Sequence, residues 1–137
     1  MISQKGQAVV EFAMILPLFL LFLFGIVYMG MIFADYISIN DMARSCAREA
    51  SYKTVKSSQY PSICAKYSPK DLPVGIYTWD KNNFSISTED NGTRVQVHVI
   101  ATPNEEKGSL VNMMRNVTQI KDKFNINIKY SMYKEQN

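Results

Sequence analysis

From Phe12 to Ala34 the chain is apolar, and Tyr28 is the one ionisable side chain in the run. At ~1.5 Å rise per residue a helix over these positions is ~35 Å long, enough to cross a hydrocarbon core of ~30 Å with some tilt. After Asp35 the pattern narrows to a stripe. Ile39, Met42, Ala43, Cys46, Ala47 and Ala50 recur at three-and-four spacing, while Asn40, Asp41, Arg44, Ser45, Arg48 and Glu49 occupy the other sides. The simplest reading is one continuous helix from about Ala8 to Lys56. Its first half is apolar all round, and its second half carries a soluble domain on the stripe. The competing reading is a membrane helix followed by a separate surface helix, with no Gly or Pro to mark a junction. Pro17 removes one backbone donor inside the span. A mild kink is expected there rather than an end, because neighbouring groups in a bilayer can satisfy the freed carbonyl.

Ser57 to Pro73 reads as a loop, punctuated by Ser57-Ser58, Pro61, Pro69 and Pro73. The period then switches to two. Val74–Trp79 and Phe84–Thr88 read as short strands around the turn-forming Asp80-Lys81-Asn82-Asn83. Asp90-Asn91-Gly92 is the best hairpin signal, because Asn-Gly accepts the positive φ of tight turns. The next strand, Arg94–Ala101, sets Val95, Val97 and Val99 on one face and Gln96 and His98 on the other. Thr102-Pro103-Asn104-Glu105 reads as a capping box with proline at the first helical position. It predicts a second helix to about Lys121 that buries Leu110, Met113, Met114, Val117 and Ile120. A last alternating strand points Phe124, Ile126, Ile128, Tyr130 and Met132 inward. The predicted fold class is therefore α+β: a long N-terminal membrane-spanning spine helix, a small, mainly antiparallel β-sheet domain and a second short helix.

Two features set the leading segment, Lys5-Gly6-Gln7-Ala8-Val9-Val10-Glu11-Phe12, apart from an ordinary anchor. Glu11 heads the apolar run, where an unpaired carboxylate costs free energy and so calls for a partner. Gly6 lies beside the basic Lys5, and a glycine lets an extended backbone approach another surface closely, as a peptidase site at the membrane face requires. A secretory signal would place small residues after an apolar region of ~7–15 residues. Here the apolar region is longer, and no A-x-A element follows it before Asp35.

This order resembles the type IV pilin-like proteins, and most of all the TadE-type pseudopilins of the tight-adherence (Tad) pilus. Their Gly-Gln-Ala-x-x-Glu-Phe-Ala-x-x-x-Pro pattern is matched from Gly6 through Pro17. The resemblance covers roughly the first third of the chain. It implies cleavage by a prepilin peptidase between Gly6 and Gln7, retention of the helix, and a role for Glu11, beside Phe12, in assembly. The implied partners are that peptidase, other pilin and pseudopilin subunits (a major pilin and a TadF-like partner), the Tad inner-membrane assembly platform and the lipid bilayer. The chain then divides into a leader at 1–6, a transmembrane and assembly helix at 7–34, its amphipathic continuation at 35–57 and a small extracytoplasmic domain at 58–137.

Charge alone does not fix the orientation. Lys5 favours a cytoplasmic N-terminus, yet Arg44 and Arg48 flank the other end. The processing-type site, which resembles those cut on the cytoplasmic side, and the two cysteines favour N-terminus inside and domain outside. In an oxidising compartment Cys46 and Cys64 are expected to form a disulfide worth ~3 kcal/mol.

The net charge of +3, with bases scattered among acids, gives no nucleic-acid footprint. The lone His98 falls on the polar face of a strand. Glu89-Asp90 and Glu105-Glu106 fall at a turn and a helix start, where acids serve structure. No nucleophile elbow, phosphate loop or metal-ligand cluster is present in the sequence, so neither an enzyme nor a cofactor is expected. The competing function is an uncleaved single-pass membrane protein whose outer domain binds a surface ligand or a membrane complex.

Overall fold

A computed structural model describes residues 3–68, 72–79, 81–105, 110–118 and 124–135. The first element, α1, is a single helix over Ser3–Ser51, unbroken at Pro17 and at Asp35. One spine, not two helices, therefore joins the apolar half to the amphipathic half. It stops short of Lys56. Ser51 turns its hydroxyl back onto the Arg48 carbonyl at 2.8 Å, and its own carbonyl accepts from the Glu135 amide at 3.0 Å, a partner outside the helix.

The predicted loop after the spine holds a helix, α2 (Tyr60–Tyr67). Pro61 lies in its first turn, where the missing N–H costs nothing, so proline marks a helix start rather than a loop. Tyr60 and Ile63, one turn apart, are buried against the core.

Four strands make the sheet: β1 (Tyr77–Thr78), β2 (Phe84–Glu89), β3 (Arg94–Pro103) and β4 (Ile126–Tyr133). All pairings are antiparallel and all involve β3, which is flanked by β2 (Phe84 opposite Val99) and by β4 (Val97 opposite Tyr130), while β1 joins its far end (Tyr77 opposite Pro103). The β2–β3 hairpin closes through Asp90, Asn91 and Gly92, all at positive φ. Asn and Asp tolerate that region through local side-chain bonding, and Gly adopts it freely, so the sequence signal was sound.

Two predicted elements differ in extent. The first strand was expected from Val74 but forms only at Tyr77–Thr78, because the amides of residues 74–77 are bonded to the spine instead. The expected capping box also fails. Thr102 and Pro103 belong to β3, and Asn104 uses its backbone N–H on the Ile76 carbonyl and its side-chain amide on the Gly75 carbonyl.

The core forms where the inward face of β3 meets the spine stripe. Val95, Val97, Val99 and Ala101 pack against Ile39, Ala43, Cys46, Ala47 and Ala50, all fully buried. Small residues on the helix let the sheet approach closely, and each buried valine contributes ~1.5–3 kcal/mol relative to exposure. On β4 the predicted alternation holds, with Ile128 buried, Ile126, Tyr130 and Met132 half-buried and Asn127, Lys129 and Ser131 outward.

The second predicted helix appears as α3 (Leu110–Thr118), packed the other way round from the prediction. Among the described side chains, Leu110, Met113 and Val117 are exposed and Val111 is buried. The Met114 side chain and Ile120 lie outside the described residues.

The expected disulfide is not formed either: Cys46 and Cys64 are free thiols, the first buried and the second half-buried. The tie between α2 and the spine that it was expected to supply is made by Glu49, Lys66 and Tyr67.

Candidate functional site

Within α1, every residue from Gly6 to Val27 is exposed, and burial begins at Tyr28. Exposures of 60–71% at Phe19, Leu21, Phe22, Phe24 and Ile26 are far above what a water-soluble surface tolerates as a contiguous band. The helix is long and apolar enough to cross a membrane, and none of its apolar window is covered by the rest of the protein. That is the geometry of a single-pass membrane segment, with the domain mounted beyond its end.

At the head of this band Glu11 finds one partner on its own helix: the Gln7 side-chain amide donates to Glu11 Oε1 at 3.2 Å. The pair is exposed, and Phe12 beside it is 65% exposed, so both present themselves to whatever packs on the helix. Gly6 and Gln7 lie in the opening turns of α1, helical rather than extended as first expected. Glycine weakens a helix by ~1 kcal/mol relative to alanine, so this is a turn that opens readily.

The junction between spine and sheet is built around a residue that sequence reasoning passed over. Asp35 is fully buried, and its two carboxyl oxygens accept four consecutive backbone N–H groups: Val74 (3.0 Å) and Gly75 (3.3 Å) on Oδ1, Ile76 (2.8 Å) and Tyr77 (3.1 Å) on Oδ2. An acceptor-only group with several lone pairs is what four converging donors require. Gly75, at φ 72, supplies the backbone bend that brings the amides round. The signal was present in the sequence. Asp35 precedes Ile39, Ala43, Cys46 and Ala50 by helical steps and so lies on the buried stripe. Nearby, burial raises the Tyr77 phenol above its ordinary value, with smaller contributions from Tyr28 and Asp35.

Further along the spine, α2 is held by charge. Glu49 accepts from Lys66 Nζ at 2.7 Å and from the Tyr67 hydroxyl at 2.5 Å. These bonds, Lys66 first and Tyr67 second, hold the Glu49 carboxyl below its usual value and raise both partners. A carboxyl whose pKa is lower folded than unfolded adds stability above the unfolded value, and that stability is lost as pH falls through the folded one. Glu49→Gln should therefore be less stable than wild type near pH 7, with a smaller gap near pH 3. Denaturant midpoints of both proteins at the two pH values check this, and a constant gap would exclude the linkage.

Between the same two elements, the Cys46 thiol stays protonated well above the ordinary thiol range, held by its bond to Cys64 and by burial. That bond lowers the Cys64 thiol, with help from the Ile86 amide. Outside them, a groove lined by Tyr60, Cys64, Phe84, Ile86 and the hydroxyls of Ser85 and Ser87 offers an apolar and hydroxyl surface rather than an acid–base pair. His98 bonds Asn127 on the outer face of the sheet at 2.8 Å, as a solvated strand residue does.

No curated protein and no solved structure matches the chain. A family model does, and it covers the exposed band together with the amphipathic stretch through Arg48. Over residues 6–48 this chain matches the TadE-like protein family, the resemblance expected from Gly6 through Pro17.

Proposed function

We propose that the chain is a structural minor pilin or pseudopilin of a Tad-type pilus. Its prepilin peptidase cuts between Gly6 and Gln7 on the cytoplasmic side, and the spine then serves in assembly or priming of the filament. The observation that carries this reading is the division of α1. An apolar half left uncovered as far as Val27 sits ahead of an amphipathic half that bears the sheet, and the family match spans both.

A helix apolar on every side has two stable environments, lipid and a bundle of like helices. A subunit that waits in the inner membrane, domain outside, and later packs among sister spines uses both. In this scheme the Tad assembly platform and other pilin subunits are the partners, and Phe12 and Glu11 lie at the end where subunits register. Mass spectrometry of the membrane-extracted chain from cells containing the peptidase tests the first step. Loss of residues 1–6 is the expected result. An intact Met1 through Gly6 would leave an anchored outer domain instead.

A further inference from the structure

The helix α3 presents an apolar face that the protein leaves uncovered. Leu110, Met113 and Val117, spaced one helical face apart, are 54, 63 and 75% exposed, while Val111 on the flank is buried. Such a face needs an occupant, and the position of α3 along the spine identifies one. The Val111 amide donates to the Tyr28 hydroxyl at 3.1 Å, so the start of α3 is tied to a residue inside the apolar run. Counting ~1.5 Å per residue from Glu11, a ~30 Å hydrocarbon core ends near residue 31, which puts Tyr28 just below the outer boundary. Tyrosines favour that depth. The exposed apolar surface of the spine continues there through Met29 (56%) and Phe33 (57%).

We infer that α3 lies in the outer leaflet of the bilayer, its Leu110–Met113–Val117 face at the boundary of headgroups and acyl chains, as a second, in-plane membrane contact. Amphipathic helices settle at this depth when one side is apolar and the other polar. Together, spine and α3 contact the membrane at two places, which fixes the tilt of the sheet domain above it. The inference rests on the reading of α1 as a membrane span but not on cleavage or filament assembly.

The test uses the full chain, one copy per phosphatidylcholine/phosphatidylglycerol nanodisc, with one lipid set brominated near the headgroup to read α3 and a second brominated near the acyl-chain ends to read mid-span. In a Trp79→Phe background, Val117→Trp and Leu110→Trp report from the apolar face, Asn116→Trp from a flank about 100° round the helix from Val117 and Phe22→Trp from mid-span. Val117 and Asn116 are exposed, so both positions accept the larger ring. Emission of the Val117 and Leu110 reporters should fall by about twofold or more in brominated lipid, while the Asn116 reporter changes much less. Equal quenching of the face and flank reporters, or quenching of neither, overturns the inference. If the Phe22 reporter is quenched and the α3 reporters are not, the span stands and the inference alone is lost. If the Phe22 reporter is also unquenched, both are lost. Shielding of Val117 only when several copies share a disc would assign the face to a second chain and likewise overturn the inference.

Discussion

Replacing Asp35 by alanine is expected to destabilise the sheet domain by about 3–5 kcal/mol, because four backbone N–H groups that converge on one carboxylate lose their acceptor in a place water does not reach. A domain of this size has a total stability of ~5–15 kcal/mol, so the change removes a large share of it. Asp35→Asn should also be costly, since its amide nitrogen would face N–H donors where an oxygen now accepts. The comparison that isolates the site is Asp41→Ala, an exposed acid on the same helix, which should fall within ~0.5 kcal/mol of wild type. Denaturant unfolding of the full chain in micelles, followed through Trp79, measures all three. An Asp35→Ala protein as stable as the Asp41→Ala protein would show that the four hydrogen bonds are not what holds the sheet to the spine.

Glu11→Ala is expected to reduce incorporation into pili, or co-assembly with other subunits, by about a hundredfold or more while leaving removal of residues 1–6 intact. Among the described residues Glu11 is partnered by the Gln7 side chain, at 3.2 Å. In the proposed scheme, cleavage would make Gln7 the N-terminus, and its new amino group on one subunit and the Glu11 carboxylate on the next would attract each other. Opposite charges ~4 Å apart at an effective dielectric constant of ~20 interact by ~4 kcal/mol, and each ~1.4 kcal/mol is tenfold in an equilibrium. Removing the carboxylate also leaves an amine unpaired among apolar helices, which adds to the cost. Quantifying processed protein in membranes and in sheared filaments separates the two steps. Normal incorporation of a normally processed variant would end the pairing role.

The two predictions draw on different levels of legibility. Glu11 could be read directly, because a carboxylate at the head of an apolar run is conspicuous in any context. Asp35 could not be separated from the end of the span by pattern alone. It reads as the first polar residue after lipid, and only its helical phase with Ile39 and Cys46 hints at burial. Its four partners arrive from a segment some forty residues later, and no local signal connects Val74-Gly75-Ile76-Tyr77 to it. The same capture shortened β1, so a strand expected from β-branched and aromatic content was overridden by a tertiary hydrogen-bond acceptor.

Long-range effects explain the remaining differences. Pro61 reads equally well as a loop marker and as a first-turn helical residue, and burial of Tyr60 and Ile63 against the core decided for α2. The capping box at Thr102 lost to continuation of β3 opposite β1. In α3 the heptad-like spacing of Leu110, Met113 and Val117 was correctly amphipathic, yet spacing says only that a helix has an apolar side, not what faces it.

The sequence by itself determined that a membrane-length apolar helix continues into an amphipathic spine, that β3 and β4 alternate and join an antiparallel sheet, and that Gly6 through Pro17 carries a TadE-like pattern. Those features rest on period, length and residue type, which are local. Tertiary structure alone decided that Asp35 gathers four amides, that Cys46 and Cys64 meet as hydrogen-bonded thiols, and that α3 turns its apolar face away from the core. Each of these depends on which distant segment arrives first at a given group, and a burial or bonding choice made between residues far apart leaves no periodic trace in the chain.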